Sequence, residues 1–282
     1  MHLPPDHYTT VEGHRLRYWD VGHGQPLLLL HGLANSSLVW HKVIPALAQR
    51  HRVLSLDLPG HGLSDMPQRR YTLPEAAQFV DAFMLALDAP RYHIAGNSMG
   101  GGIALETALR YPDQVASVTL IGSVGLGRGI AGFLRIGSLP FVGDRFQRPT
   151  IVRIRRLIRA VTYDPSTVPE DMVLEMLRYR MRPGAYAALM MLLRTGVILF
   201  GQKTSVLRLR QLPSLRPPLL LLWGAQYRIV PLTHARAAKT LLPTATLRIF
   251  DRCGHWPQIE HPDEFAATIL AFLAAPGASA TP

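Results

Sequence analysis

The feature that most constrains the fold of this chain is a serine flanked by glycines, in Gly96-Asn97-Ser98-Met99-Gly100. An apolar segment from Tyr92 to Ala95 precedes it, and a helix-like segment from Ile103 to Leu109 follows it. This order indicates a strand, a tight turn and a helix, the setting of a nucleophile elbow. The turn strains the backbone of the serine, and glycines are needed because other side chains would collide with the strand and the helix. We therefore predict that Ser98 is a nucleophile facing substrate.

Two backbone amides near this turn are candidate oxyanion donors. The first is Met99, because the amino end of the helix after Ser98 presents unpaired N–H groups and a partial positive charge. The apolar run Pro26-Leu27-Leu28-Leu29-Leu30 predicts a parallel strand buried on both faces. Leu33 and Asn35 follow it, at the end of the strand where open α/β sheets bind ligands. We predict the Leu33 N–H as the second donor and Asn35 in the substrate pocket.

Strands and helices alternate along most of the chain. Residues 8–19 read as an antiparallel hairpin at a sheet edge, and alternation of apolar strands with amphipathic helices follows from residue 53 to 121. One helix begins with a capping box formed by Thr72 and Glu75. This pattern predicts an α/β fold with a doubly wound, mostly parallel sheet.

The alternation stops between Gly125 and about Leu212, where helical patterns replace it. The sheet pattern resumes with the apolar run that starts at Pro218. We therefore predict one core domain formed by residues 1–124 and 213–282. Residues 125–212 are predicted to be a helical cap, or lid, inserted over the active site.

Composition limits the class of protein. The chain has 282 residues, 48% of them hydrophobic, which is long enough for one core with an insertion. No stretch reaches the ~18 apolar residues of a membrane span, and Met1-His2-Leu3-Pro4-Pro5-Asp6 lacks the features of a targeting signal. We therefore expect a cytoplasmic protein. The single cysteine, Cys253, excludes an internal disulfide, and no metal or organic cofactor is implied.

The net charge of +11 is concentrated in the predicted cap. Residues 125–212 contain fifteen Lys or Arg against five Asp or Glu, a balance of +10 that leaves +1 for the rest. Without zinc spacing or an aromatic RNA-binding signature, no nucleic-acid partner is expected. In residues 151–161 the apolar positions and the arginines fall largely on different faces of a helix. The favoured interpretation is that the apolar face covers the active site and the arginines are solvated. The alternative is attraction of an anionic partner, either an acidic substrate or a membrane surface, which is not favoured.

A histidine completes the candidate site. His255 follows the last strand pattern, Thr246-Leu247-Arg248-Ile249-Phe250, and lies downstream of Ser98. A histidine at that position can fold back over the sheet to the serine. We therefore predict His255 as the general base that activates Ser98 and then as the general acid.

With these residues in place, the chain resembles the α/β-hydrolases over essentially its full length. It is most similar to the meta-cleavage-product (C–C bond) hydrolases and related carboxylesterases. The resemblance depends on three motifs: Gly96-Asn97-Ser98-Met99-Gly100-Gly101, Gly125-Leu126-Gly127, and Cys253-Gly254-His255-Trp256 with Glu260-His261. It implies that the serine and histidine work with an aspartate, and that Asn97 and Trp256 line the substrate pocket.

The chain departs from this family at the acid, because Tyr227 stands where the family has aspartate. That acid fixes the imidazole tautomer and stabilises its charged form, and losing it costs ~10⁴ in kcat in a serine protease. A tyrosine stays neutral at pH 7. The alternative acid position of some hydrolases, within residues 122–125, has no carboxylate. Three explanations are open: a relocated acid, with Asp251 and Glu260 near His255 in sequence; a weak Ser–His dyad; or a disabled site.

A second departure concerns the substrate. The C–C hydrolases hold a substrate carboxylate with a cap arginine, and the register places Met176 there, with Arg178 and Arg180 nearby. We therefore predict a small-molecule carboxylic ester, or a related acyl or C–C compound, as the substrate of an acyl-enzyme mechanism on Ser98. Two alternatives are a weakly active or inactive pocket protein, favoured by Tyr227, and a membrane-surface lipase, favoured by the basic cap.

Overall fold

The computed structural model describes residues 3–67, 71–146 and 149–275. Met1 and His2, part of the chain start considered above, lie outside these ranges, as do residues 276–282 at the end of the predicted core. The strands within the described ranges are β1 (His7–Val11), β2 (His14–Val21), β3 (Pro26–Leu30), β4 (Arg52–Leu56), β5 (Tyr92–Asn97), β6 (Val115–Ile121), β7 (Val197–Ile198), β8 (Gly201–Gln202), β9 (Leu219–Gly224) and β10 (Thr246–Phe250).

The helices are α1 (Ile44–Leu47), α2 (Leu73–Ala86), α3 (Met99–Arg110), α4 (Gly132–Gly137), α5 (Val142–Phe146), α6 (Ile151–Val161), α7 (Glu170–Arg180), α8 (Ala185–Gly196), α9 (Leu232–Leu241), α10 (Pro257–Glu260) and α11 (Pro262–Leu273). Short 3₁₀ turns occupy Ser37–Trp40, Pro165–Thr167, Thr204–Val206 and Leu209–Ser214. Helix α2 begins with the predicted capping box, in which Thr72 and Glu75 exchange hydrogen bonds.

The main sheet has the strand order β1-β2-β4-β3-β5-β6-β9-β10. Strands β1 and β2 form the predicted edge hairpin, β2 pairs with β4 in the antiparallel sense, and all other pairs are parallel. Leu27 to Leu30 of β3 are at most 1% exposed, as expected for a strand with both faces covered. The predicted mostly parallel α/β architecture is confirmed. The parallel arrangement brings the carboxyl ends of β3, β5, β6, β9 and β10 to one edge of the sheet.

The chain leaves the main sheet at the end of β6, passes through residues 125–212, and rejoins the sheet at β9. Because β6 and β9 are neighbours in the sheet, the inserted segment does not interrupt strand pairing. Thr150 caps the start of α6, because its side chain accepts a hydrogen bond from the Arg153 N–H. The helix buries Ile154, Ile158 and Val161. Within the described ranges, no helix is long and apolar enough to cross a membrane.

Candidate active site

Ser98 occupies the turn between β5 and α3 with φ of 57° and ψ of −113°. This combination lies in the left-handed half of the backbone map that serine rarely adopts. The Ser98 N–H donates to the Ile121 carbonyl at 2.9 Å, and the Ser98 carbonyl accepts from the Gly102 N–H at 3.2 Å. The strained conformation is therefore fixed by the neighbouring strand β6 on one side and by α3 on the other.

The glycines around Ser98 allow backbone segments to approach closely. A Cβ atom on Gly96 would collide with the carbonyl of Gly100, and one on Gly100 would collide with the carbonyls of Leu30 and His31. On Gly32, a Cβ atom would lie 3.1 Å from the Cβ atom of Ser98. The glycine pattern seen in the sequence thus has a direct steric cause, and it places the end of β3 against the serine.

Leu33 and Met99 both line a cavity that Ser98 also lines. Met99 is the first residue of α3, so its amide has no acceptor within the helix. The turn at Leu33 is held by Gly32, whose carbonyl accepts a hydrogen bond from the Asn35 N–H at 3.3 Å. Neither amide donates to another group in the part of the chain that the structure describes, which suits the predicted role as oxyanion donors.

His255 lies in the loop between β10 and α10. Its N–H donates to the Val161 carbonyl at the end of α6 at 2.6 Å, and its carbonyl accepts from the Asn97 side-chain amide at 3.1 Å. His255 and Ser98 line the same cavity, so both predicted catalytic residues face one space. Burial lowers the pKa of His255 from 6.5 to about 3, which keeps the imidazole neutral.

Tyr227 stacks on the imidazole of His255, with ring centroids 4.8 Å apart and planes inclined by 6°. Its hydroxyl donates to the Gly122 carbonyl at 3.0 Å. Burial raises the pKa of Tyr227 well above its usual value, and the nearby Ser98 side chain opposes that rise only in part. A neutral phenol therefore lies beside His255 and Ser98, at the position where the family resemblance implies a carboxylate.

The His255 Nδ1 atom is buried and has no hydrogen-bond partner among the described residues. Asp251 is 79% exposed and accepts from the Gln226 side chain at 3.3 Å. Glu260 accepts from the backbone N–H groups of Tyr163 at 2.6 Å and Gly254 at 2.9 Å. Neither carboxylate bonds to His255, so the relocated-acid explanation finds no support at these two positions. Glu260 instead joins the His255 loop to the end of α6.

Two cavities meet at Ser98. The smaller has a volume of about 150 Å³ and no charged residue among its described lining residues; it extends from Met99 past Phe79 and Val197. The larger has a volume of about 490 Å³ and contains His255. Leu33, Leu134 and Leu193 line both, so Ser98 stands at their junction.

The larger cavity is basic. Arg153, Arg156 and Arg180 line it, and its described lining includes no carboxylate. Arg180 donates twice to the Ala34 carbonyl, at 3.1 and 3.0 Å. Burial lowers its pKa to about 10, and no acidic group among the described residues compensates. Sequence reasoning placed Arg180 only near the cap arginine of the family. Its approach to Ala34 joins α7 to the turn after β3, a contact between distant segments that no local pattern signals.

The other expected pocket residues divide into two groups. Asn35 and Trp256 line the larger cavity. Asn97 does not line either cavity; it is fully buried behind them, because its amide donates to the carbonyls of Ile121 and His255, each at 3.1 Å. Met176 lies in a neighbouring small cavity, and Arg178 is turned to solvent beside Glu175.

The other buried polar groups near this edge of the sheet serve the fold. Asp57 accepts hydrogen bonds from the Ser37 N–H at 2.7 Å and the Leu63 N–H at 2.9 Å, and it pairs with Arg17. Burial lowers the pKa of His61 to about 3 and that of His31 to about 4, so both imidazoles stay neutral. Within the described ranges, no three His, Cys, Asp or Glu side chains are grouped to hold a metal ion.

The sequence matches the family described as alpha/beta hydrolase fold over residues 25–262. The chain therefore belongs to the α/β-hydrolase family, and the prediction of that family is confirmed.

Its relatives carry out different chemistry. It is 34% identical to the dihydrolipoyllysine-residue acetyltransferase component of the acetoin cleaving system of Pseudomonas putida, over 96% of this chain and 70% of that one. It is 31% identical to the 2-hydroxy-6-oxo-6-(2'-aminophenyl)hexa-2,4-dienoic acid hydrolase of Metapseudomonas resinovorans, over 95% and 90%. A solved meta-cleavage product hydrolase superposes with a TM-score of 0.81 at 29% identity, over 95% of this chain and 97% of that one. The predicted resemblance to C–C hydrolases is thus confirmed.

Proposed function

We propose that this protein is a serine hydrolase that cleaves carboxylic esters through an acyl-enzyme on Ser98. The observation that carries the proposal is the strained Ser98 at the junction of two cavities, one of which also contains His255. The two halves of an ester leave its carbonyl carbon in different directions. A carbonyl held at Ser98 can therefore place an apolar half in the uncharged cavity and the other half in the basic cavity.

The proposed reaction follows from the groups around Ser98. The serine oxygen attacks the carbonyl carbon while its proton passes to His255, and the oxyanion receives hydrogen bonds from the Leu33 and Met99 amides. His255 then protonates the departing alcohol and leaves an acyl-enzyme. Water attacks this intermediate, again transferring a proton to His255, and the acid is released as Ser98 recovers its proton.

Tyr227 should make this cycle slow. No Ser98–His255 hydrogen bond is present among the described residues, and the Tyr227 ring lies against the imidazole. Ser98 must therefore form its hydrogen bond to His255 before it can attack. The imidazolium formed at each step then lacks a carboxylate partner, a loss comparable to the ~10⁴ in kcat measured when a serine protease loses its acid.

The same observation favours a second candidate, a weakly active or inactive pocket protein. The buried Nδ1 of His255 has no partner among the described residues, and the neutral Tyr227 lies beside the imidazole. A site that keeps its shape without turnover would have both features. We propose an ester as the substrate because its two halves suit the two cavities, and Arg180 in the larger cavity would accept an ester that carries a carboxylate.

The test combines a fluorophosphonate probe with a series of p-nitrophenyl esters. We expect covalent labelling and slow turnover in the unaltered chain, and neither in Ser98→Ala. Loss of this small side chain should change the free energy of unfolding by no more than about 1 kcal/mol. Ser205→Ala, at the edge of the uncharged cavity, is the matched control and should keep labelling. Labelling without turnover would favour the pocket protein, and undiminished turnover in Ser98→Ala would exclude the mechanism.

A further inference from the structure

Exposed apolar side chains border the mouth of the larger cavity. Phe133 and Ile136 of α4 line this cavity, yet they are 42% and 51% exposed. They therefore stand where the cavity meets solvent. Phe141, shortly after α4, is 86% exposed. Three large apolar side chains on one short stretch thus face water, and two of them, Phe133 and Ile136, stand at the opening that leads to Ser98.

The turn between β7 and β8 extends this apolar surface. Leu199 and Phe200 in that turn are 40% and 76% exposed. The Arg135 side chain of α4 donates to the Leu199 carbonyl at 2.7 Å, which holds the turn against α4. The exposed apolar groups of α4 and of this turn therefore belong to neighbouring segments.

Arginines accompany these apolar groups. Arg153 and Arg156 of α6 line the same cavity, and Arg153 donates to the Arg145 carbonyl at 3.1 Å, which joins α6 to α5. Residues 125–160 contain eight arginines and a single acidic residue, Asp144. We refer to the following residues as the rim: Phe133, Arg135, Ile136, Phe141, Arg145, Arg153, Arg156, Leu199 and Phe200.

Several exposed apolar side chains on neighbouring segments indicate an interaction site, and the chemistry of the groups around them indicates the partner. Apolar tips surrounded by arginines complement the surface of an anionic bilayer, since the tips enter the acyl boundary while the arginines meet lipid phosphates. A second copy of the chain would bring the same arginines against them, and like charges repel.

We propose that the rim docks the mouth of the larger cavity onto an anionic phospholipid surface. The charge pattern of the sequence alone favours the interpretation that the arginines are simply solvated. The structure adds exposed apolar side chains on the same and neighbouring segments. Docking would let an ester dissolved in the bilayer pass directly to Ser98. It requires no turnover, so it can be tested whether or not the proposed function holds.

The test is flotation of the full chain with vesicles at low salt. Vesicles of equal parts phosphatidylcholine and phosphatidylglycerol should bind it at least about tenfold more tightly than phosphatidylcholine alone, because each arginine adds attraction near an anionic surface. Binding should weaken at ~1 M salt, where the screening length falls to ~3 Å. Equal binding to both vesicle types, or binding to neither, would overturn the proposal.

Two pairs of variants, each with a matched control, locate the surface. Phe141→Ser with Phe200→Ser should weaken binding about tenfold by removing inserted apolar groups. The control, Leu85→Ser with Leu241→Ser, changes two exposed apolar residues outside the rim and should leave vesicle binding unchanged.

The charge pair is Arg153→Gln with Arg156→Gln, which should also weaken binding about tenfold. Its control is Arg210→Gln with Arg236→Gln, which removes the same charge elsewhere. Equal losses from a rim pair and its control would refute the assignment. Light scattering without lipid tests the competing partner: a dimer that dissociates in the Phe141→Ser, Phe200→Ser variant would show that the rim joins two copies instead.

Discussion

Replacing Tyr227 with aspartate puts a carboxylate beside His255, and we expect kcat for ester hydrolysis to rise about a thousandfold. The aspartate would stand on the side of His255 from which the Tyr227 ring now stacks on the imidazole. Tyr227→Asn is the matched control, because it has the same size as aspartate and lacks the charge. The difference between the two variants therefore isolates the carboxylate.

The magnitude follows from the burial of His255. The difference between its usual pKa of 6.5 and the value of about 3 corresponds to roughly 5 kcal/mol against forming the imidazolium. A carboxylate about 4 Å from the imidazolium, at an effective dielectric constant of about 20, would offset about 4 kcal/mol. That energy is equivalent to a rate increase of about a thousandfold.

The assay is the pH dependence of kcat/KM for a p-nitrophenyl ester. The active form of His255 is neutral, so activity falls as pH drops through its pKa. In the unaltered chain burial holds that pKa near 3, and kcat/KM should stay level through pH 6.5 and fall only well below it. In Tyr227→Asp the carboxylate raises the pKa, and the fall should begin at a higher pH. Tyr227→Asn should keep the profile of the unaltered chain.

Equal activity and identical profiles for the aspartate and asparagine variants would refute this reasoning. Both variants lose a buried ring, at a cost of about 3–5 kcal/mol in stability. Thermal unfolding must therefore show that both are folded at the assay temperature. High activity in the unaltered chain with no gain in Tyr227→Asp would mean that another group already stabilises the imidazolium.

Two further predictions concern the walls of the site. Arg180→Met should reduce kcat/KM for an ester with a terminal carboxylate about tenfold more than for a neutral ester of equal length, since Arg180 has no acidic partner among the described residues. Arg159→Met, which changes an exposed arginine of α6, is the control. Equal losses on both esters would contradict the prediction. Gly100→Ala should lower the free energy of unfolding by about 1–3 kcal/mol, because its Cβ would strike two carbonyls. Gly132→Ala has no atom within 4 Å of its new Cβ and should cost nothing in a denaturant titration.

The fold and the nucleophile could be predicted because their signals are local. Alternating strands and helices determine a parallel sheet, and the glycines around Ser98 reflect contacts within a few residues of the turn or with the adjacent strand end. His255 could be placed by its position after the last strand. These features depend on periodicity and chain order, which a sequence displays directly.

The walls of the site depend on contacts between distant segments. Asn97 directly precedes Ser98 in the nucleophile elbow, yet its side-chain amide donates to the His255 carbonyl and does not face the substrate cavity. Arg180 reaches Ala34 across 146 positions of the chain. Tyr227 could be identified as a departure from the family, but its stacking on His255 and its contact with Ser98 depend on the length and direction of its ring. No local propensity specifies such contacts.

The position of His255 does not require the missing acid. Its N–H is held by Val161 from the inserted segment, and its carbonyl is held by Asn97 from the strand before Ser98. Glu260 fixes the loop on the other side through the Gly254 N–H, and the Tyr227 ring supports one face of the imidazole. In a triad the carboxylate both orients the histidine and stabilises its charged form. Here backbone hydrogen bonds and stacking supply orientation alone, so the two roles are separated and restoring charge at position 227 would test the second by itself.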